Sequence, residues 1–452
     1  MFRGVSVTSV IEIVPYDSTW PREFEAERDR IARALGGIAR RIEHNGSTAV
    51  PGLAAKPIID IQIAVDRLQP MDVYAPALEA LGYIHVPHAD DSVCPFFHRP
   101  REWPHTHHVH VVEAGGKEER RTLAFRDYLR AHPRAAREYE DLKRRLAAEF
   151  GGADAASRER YATAKSEFIE RALNVAEIAA YYNRYSDWET ARLAEASGRL
   201  ELERTKEILA RVLPPPPARV IDVGGAAGVY SLWLADLGYE VHLVDASSGL
   251  VDEARRRSAA AAGPIASMTV ADACRLPQED GAAGAVLVLG PLYHLTSAAD
   301  RVAALREAHR VLVPGGVVAA AAISRYASAL DGLARKLSLD PKFVAIRDRD
   351  LVDGQHRNNT GNPNYFTTAY FHRPDDLRAE LAAAGFADVQ VLGVEGPAWL
   401  LPDFDARWND AALRADILAV ARALESAPSA IGVSAHLLGV GTKTRRTGSE
   451  PV

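Results

Sequence analysis

A chain of 452 residues, 47% hydrophobic and 25% charged, can bury large cores but is longer than one compact domain, so two domains are expected. A net charge of −6 at pH 7 excludes the broad basic surface that drives phosphate-backbone binding, which disfavours nucleic acid as a partner. Two cysteines, Cys94 and Cys274, exclude a disulfide framework, and neither a signal peptide nor an apolar run of ~18 residues is read, so a soluble, cytoplasmic protein with no membrane partner is expected.

In chain order, Pro21 opens a helix that runs to about Leu35. Short strands are predicted at Arg40–Glu43, Pro57–Val65, Tyr83–Val86, Val93–Phe97 and His107–Glu113, with a helix near Met71–Leu81. Apolar residues at three- and four-residue spacing predict helices over Lys117–Phe150 and Ser157–Ala172. The charges from Arg134 to Arg145 alternate in sign and read as a solvated helix face. The result is an α+β domain over residues 1–176.

Within it, Gly46-Ser47 follows a strand and is expected to open a helix, presenting unpaired backbone N–H groups to an anion, with Lys56 nearby. Asp60 lies in the next strand, where a buried carboxylate needs a metal or a donor. Alternation puts His108 and His110 on one strand face, with His105 upstream. These histidines lack the remote paired ligands of a closed zinc site, so contacts to a polar substrate or phosphate are favoured. The blocks VPYDSTWPREFEAE, GSTAVPGLAAKPIID, HHVHVVE, FRDYLRAHPRAAREYEDLK and YATAKSEFI resemble the GrpB-like family over Val14–Leu173. That resemblance implies a nucleotidyltransferase-like fold, in which a Gly-Ser turn holds phosphate oxygens and strand carboxylates hold Mg²⁺. Here Gln62 stands where the second carboxylate is needed, leaving Asp60 as the metal ligand and Glu113 as a candidate second.

Residues 177–445 form the second expected domain. A helical lid over 177–213 carries Tyr181, Tyr182 and Tyr185, with Tyr182 a candidate catalytic residue closing over a ligand; the run Pro214–Pro217 stops it. From Arg219 the chain alternates nearly unbroken apolar strands with helices: RVIDVGG, SLWLADLG, EVHLVD, VDEARRR, SMTVADA, GAVLVLG, RVAALREAHRVL and GVVAAAAI. Such alternation means a parallel sheet covered on both faces. The turn Gly224–Gly228 lets backbone approach a ligand, and Asp245 ends the second strand where a carboxylate can accept from ribose hydroxyls.

Asp222 before the glycines, Asp272 after the third strand, and PGG at Pro314–Gly316 complete a pattern that resembles class I methyltransferases over Arg219–Ala322. The resemblance implies a Rossmann-like α/β fold and S-adenosylmethionine as cofactor. It assigns Gly224, Gly225 and Gly228 to the cofactor, Asp222 to its methionine end, Asp245 to the ribose, Asp272 and Ala273 to the adenine, and Leu289 and Gly290 to the donor from strand four. Two positions depart from the pattern: Ala226 replaces a glycine, and Gly284 stands where an acid often begins strand four.

His294, in GPLYHL with Tyr293, sits at the carboxyl edge of the sheet and is the candidate general base. Residues 324–372 read as a polar, aromatic insertion covering the methyl acceptor, with His356, Arg357, Tyr365, Tyr370 and His372 as candidate contacts. The combined expectation is a methyltransferase acting on a small-molecule acceptor, with the first domain binding a substrate or an anion. Two alternatives stand beside it: a bifunctional enzyme whose first domain performs metal-dependent nucleotidyl transfer, and a ligand-binding protein without catalysis.

Overall fold

The computed structural model describes residues 11–150, 155–178, 193, 197–360 and 362–445, and the chain divides into two compact units, Met1–Glu177 and Ile178–Val452. No helix among the described residues is long and apolar enough to cross a membrane.

The first unit contains β1 (Ala39–Asn45), β2 (Ile59–Val65), β3 (Ile84–His85), β4 (Phe96–Arg99) and β5 (His107–Glu113) in a mixed sheet of order β1-β2-β5-β4-β3. β2 and β5 run parallel, and the other neighbours antiparallel. Alternation along IDIQIAV gives β2 two faces. Ile59, Ile61, Ile63 and Val65 join a core with Trp20, Phe24, Ile31, Tyr74 and Phe97. Asp60 and Gln62 lie on the opposite face, beside His108 and His110 in the β2–β5 register. One strand pair therefore builds the core on one side and a polar row on the other.

Three expectations for this unit change. The helix expected over Lys117–Phe150 is two, Lys117–Ala131 and Pro133–Phe150, because proline lacks an N–H and forces the residue before it out of the helical region; His132 has φ −121 and ψ 80. Gly46-Ser47 opens only a single 3₁₀ turn, Ser47–Ala49, too short to act as a helix N-terminus. The run from Arg134 to Arg145 is not a wholly solvated face, since Lys143 is 3% exposed.

The second unit contains β6 (Arg219–Val223), β7 (Glu240–Asp245), β8 (Ser267–Val270), β9 (Ala283–Val288), β10 (Leu312–Ser324), β11 (Gln355–His356), β12 (Ala369–His372), β13 (Ala387–Gly393) and β14 (His436–Thr442). Strands β8-β7-β6-β9-β10 are parallel, β14 lies antiparallel on β10, and β13 lies antiparallel on β14. The end of β10 also pairs with β12, which carries β11. Val220, Ile221, Val223, Leu243, Val244, Val286, Leu287 and Val288 are buried between helices, as unbroken apolar strands require. The chain leaves β6 to one side through β7 and β8, then returns to the other side for β9, so the turn after β6 faces the crevice where the strand order reverses.

The insertion after β10 is built rather than loop-like. It holds helices Ala327–Ala334 and Pro341–Asp353, the second started by Pro341 and capped by Asp340, whose carboxylate accepts from the Lys342 N–H at 2.8 Å.

Candidate functional site

The turn after β6 is held by backbone and by two carboxylates. Gly224 N–H donates to the Val244 carbonyl at 2.7 Å, and a side chain at Gly224 would meet Pro291 Cδ at 2.5 Å, so the turn packs directly on the segment after β9. A Cβ at Gly225 would meet Leu243 Cγ at 2.8 Å, and Gly228, with φ +81, begins the helix Val229–Asp236. Asp245 accepts from the Ala226 N–H at 3.0 Å and from the Ser247 N–H at 2.8 Å; burial raises its carboxyl above the usual range against these donors. Asp222 is 1% exposed, its Oδ2 accepts from Ser231 at 2.6 Å, and its Oδ1 is buried with no partner. Burial, with the nearby Asp245 charge, pushes Asp222 up to about 6. Asp272 accepts from the Cys274 N–H at 2.8 Å across Ala273, and the Leu289 carbonyl, beside Gly290, accepts from the Tyr293 hydroxyl at 3.3 Å.

Tyr293 also walls a cavity of about 210 Å³ in the same unit. Phe343, Tyr365, Phe366, Phe371 and Trp399 line it, with Asp331, His356 and His436 as its ionisable groups. His436 begins β14, and its Nδ1 lies 2.5 Å from Glu395 Oε1 and 3.7 Å from Glu201 Oε2; Glu395 is 2% exposed and also accepts from the His436 N–H at 3.0 Å. Glu201, Glu395 and His436 sit close enough to hold a cation, but the His436–Glu395 hydrogen bond puts a proton where a metal would bind.

Of the residues singled out in the sequence, Tyr293, His356 and Tyr365 line this cavity. His356 is fixed there by the Asp350 carboxylate at 2.8 Å and the Tyr365 carbonyl at 2.7 Å. Tyr370 and His372 do not line it. Arg301 lies 3.6 Å from the Tyr370 ring centroid, and fully buried His372 hydrogen-bonds Glu380 at 3.1 Å, so both belong to an internal ion network. Arg357 bonds Gln355 Oε1 at 2.6 Å and is not among the residues that line the cavity. His294 is buried between Tyr293 and Phe366, and burial pushes it down to about 4, which leaves a weak base outside the lining. Tyr181, Tyr182 and Tyr185 lie outside the described residues.

In the first unit, Gly46 has φ +67, and a Cβ there would meet Asp60 Oδ2 at 2.2 Å, so the turn and the carboxylate are in contact. Asp60 Oδ1 lies 3.3 Å from His108 Nδ1, and His108 in turn meets His105 at 3.1 Å. Burial opposes its ionisation, but His108, His110 and Lys56 together hold the Asp60 carboxyl below its ordinary value. Burial pushes His110 down to about 4. Three lysines converge on this face. Lys56 and Lys165 lie 5.0 and 4.5 Å from the Tyr161 ring centroid, and Lys143 lies 5.0 Å from that of Tyr139.

The GrpB protein family matches residues 10–174, and a methyltransferase domain family matches residues 220–316. A UPF0157 protein of Halalkalibacterium halodurans is 39% identical over 161 residues, which cover 35% of this chain and 79% of that one. The chain belongs to the GrpB family. Its second unit carries a methyltransferase domain with the Rossmann-like fold of S-adenosylmethionine-dependent enzymes. A UPF0157 protein of Bacillus subtilis is 37% identical over 164 residues, 36% of this chain, and the match spans less than half, 46%, of that relative. A solved S-adenosylmethionine-dependent methyltransferase of Thermotoga maritima, described as a possible histamine N-methyltransferase, is 18% identical, covers 58% of this chain and 98% of its own, and gives a TM-score of 0.37.

The second unit's residues fit the methyl donor. Asp222 Oδ1 is a buried acceptor lacking a donor, and the turn beside it is too close to Pro291 and Leu243 for side chains at Gly224 and Gly225. The GrpB domain does not fit Mg²⁺ in the same way. Gln62 is 1% exposed and engaged by Asn45 at 3.3 Å, by Thr122, and by the Glu119 carbonyl at 3.5 Å. Glu113, the other candidate carboxylate, pairs with Val65, five residues along β5 from His108, which is roughly 16 Å at strand rise. Asp60 is left as one carboxylate among lysines and histidines, a poor set for a hard divalent ion. Sequence reasoning missed Lys143 and Lys165, which sit in helical stretches read as packing or solvated face, and missed His436, whose partners come from remote elements.

Proposed function

We propose that this chain is an S-adenosylmethionine-dependent methyltransferase acting on a small molecule with an apolar or aromatic body, and that its GrpB domain is an anion-binding module. The observation that carries the reading is Asp222 Oδ1, a buried carboxylate oxygen without a donor beside a turn too tight for side chains. In this reading Asp222 accepts from the donor's ammonium, Asp245 from its ribose hydroxyls and Asp272 from its adenine amine. Gly224, Gly225 and Gly228 admit it, and Ala273, Leu289 and Gly290 pack against it. S-adenosylmethionine supplies an electrophilic methyl group when bound.

The protein's own part is alignment and exclusion of water, for which the aromatic cavity behind Tyr293 is suited. Where the acceptor carries a proton, His436 takes it. His436 lines the cavity, and Glu395 holds its Nδ1, the arrangement by which a carboxylate orients a general base. His294 then serves to position Tyr293.

Calorimetry with the full chain tests the first half: S-adenosylmethionine and its demethylated product should bind with one site each, and absence of binding by folded protein would sink the reading. Transfer of labelled methyl to a panel of amines, phenols and carboxylic acids tests the second. His436→Asn should lower kcat by roughly 10²–10⁴ while leaving donor affinity unchanged.

A further inference from the structure

We propose that the cavity behind Tyr293 takes a cationic amine as methyl acceptor, selected by the Asp331 carboxylate and by the aromatic rings around it. This rests on the reading of that cavity as the acceptor site, and it names the acceptor's chemical class and the residue that selects it.

The first observation is the charge of the walls. Among the described residues no lysine or arginine lines the cavity, and Asp331 is the carboxylate that does. Each of the two lining histidines has a carboxylate of its own: His356 bonds Asp350 at 2.8 Å, and His436 bonds Glu395 at 2.5 Å. Positive charge on either ring is thus already matched, and the walls offer nothing to an anionic acceptor. Asp331 lies on the helix Ala327–Ala334, whose Ala327 and Ser328 also line the cavity. One turn on, Arg335 donates to Asp331 Oδ2 at 3.0 Å, but its side chain is half exposed and lies outside the lining. Burial raises the Asp331 carboxyl above its ordinary value against the pull of that arginine. The ion pair therefore falls short of replacing the lost water, and a cation inside the cavity would make up the difference.

The second observation is independent of Asp331. Tyr293, Phe343, Tyr365, Phe366, Phe371 and Trp399 place aromatic rings around the same space. Ring faces carry partial negative charge and attract an ammonium group more strongly the less water surrounds it. Several of these rings are held in place: Phe343 and Tyr365 lie 5.2 Å apart between centroids, His356 stacks on Phe371 at 4.7 Å, and the Trp399 indole N–H donates to the Val433 carbonyl at 2.9 Å.

The nucleophile separates an amine from a phenol or a carboxylic acid. A phenol can donate to Asp331, yet the phenolate that must attack is repelled by it, and a carboxylate is repelled from the start. An amine is held as the ammonium and attacks as the neutral base. In that step the ammonium passes one proton to His436. The nitrogen lone pair forms the bond to the methyl carbon as the carbon–sulfur bond breaks, the electron pair stays on sulfur, and the product leaves as the methylated ammonium.

The test is calorimetric titration of the full chain near neutral pH with phenethylamine, phenethyl alcohol and phenylacetate, which share one body and differ in charge. The amine is expected to bind about tenfold or more tighter than the alcohol, and phenylacetate not to bind. Asp331→Asn, which keeps the shape and removes the charge, should bring the amine down to the affinity of the alcohol and leave S-adenosylmethionine affinity unchanged. Equal affinity for amine and alcohol, tighter binding of phenylacetate, binding of none of the three, or an amine preference that survives Asp331→Asn would overturn the proposal. The three ligands decide it on the parent protein even where the variant fails to fold. Titration with S-adenosylmethionine separates this proposal from the reading it rests on: donor binding without amine preference overturns the amine class alone, whereas absence of donor binding overturns the methyltransferase reading and the acceptor role with it.

Discussion

Ala226 donates its backbone N–H to Asp245 Oδ2 at 3.0 Å while holding a left-handed φ of +47°. The residue that departs from the glycine pattern is thus the one whose amide fixes the acid at the end of β7. An alanine in this region carries a steric cost that glycine does not.

Ala226→Gly should therefore raise the stability of the methyltransferase unit by about 1 kcal/mol, less the extra chain entropy of glycine, and should keep or improve donor affinity. Asp245→Ala should weaken donor binding by about 1.5–3 kcal/mol, the scale of hydrogen bonds to a charged group. Calorimetry on both variants checks this; an Asp245→Ala protein with parental affinity would mean the acid does not touch the ligand.

Asp222 gives a prediction of opposite signs for stability and binding. Its folded-state pKa, about 6, lies above the ordinary 3.8, so the folded state binds more protons between these values. The group's favourable contribution is full below pH 4 and is lost as pH rises through 6. Asp222→Asn, which carries no charge at any pH, should raise the melting temperature of the ligand-free protein at pH 7.5 and flatten its dependence between pH 4 and 6. The same variant should bind S-adenosylmethionine more weakly. A variant that melts lower at pH 7.5 would show that the buried charge has a donor after all.

What could be read from the sequence was local, and what could not was assembled from distance. RVIDV, EVHLVD and GAVLV declare themselves as buried parallel strands through their Val, Ile and Leu residues and their alternation with helical segments, and the turn after β6 follows directly from its glycines. The cavity was not legible, since its walls come from Tyr293, Phe343, Phe371, Trp399 and His436, which no spacing rule connects. Within the insertion, histidines looked alike on paper, yet His356 faces the cavity and His372 is sealed against Glu380. Lys143 was hidden for another reason: acids and arginines intermixed along the run from Arg134 to Arg145 read as a solvated face, yet its Nζ donates to the Ala54 carbonyl and lies 5.0 Å from the Tyr139 ring centroid.

Gly46→Ala should be severe, because a methyl group at that position would lie 2.2 Å from Asp60 Oδ2 and the backbone holds φ +67. Asp60 would have to move or the turn to refold, with an expected loss of about 2–4 kcal/mol in the GrpB domain. The two compact units allow a clean readout: differential scanning calorimetry should show one transition lowered, while S-adenosylmethionine affinity stays at the parental value.

Two buried lysines give the GrpB domain a pH signature of its own. Burial with repulsion from Lys165 brings Lys143 down to about 7, opposed by Glu140, and burial with repulsion from Lys56 brings Lys165 down to about 8, opposed by Asp60. The unfolded chain holds these protons up to pH ~10, so between pH 7 and 9 it binds more protons than the folded state and stability of the GrpB domain should increase with pH. Calorimetric melting of the full chain at pH 7, 8 and 9 checks this, with Lys165→Met expected to flatten the rise. A GrpB transition that stays level across this range would show that both lysines keep their charge in the folded protein.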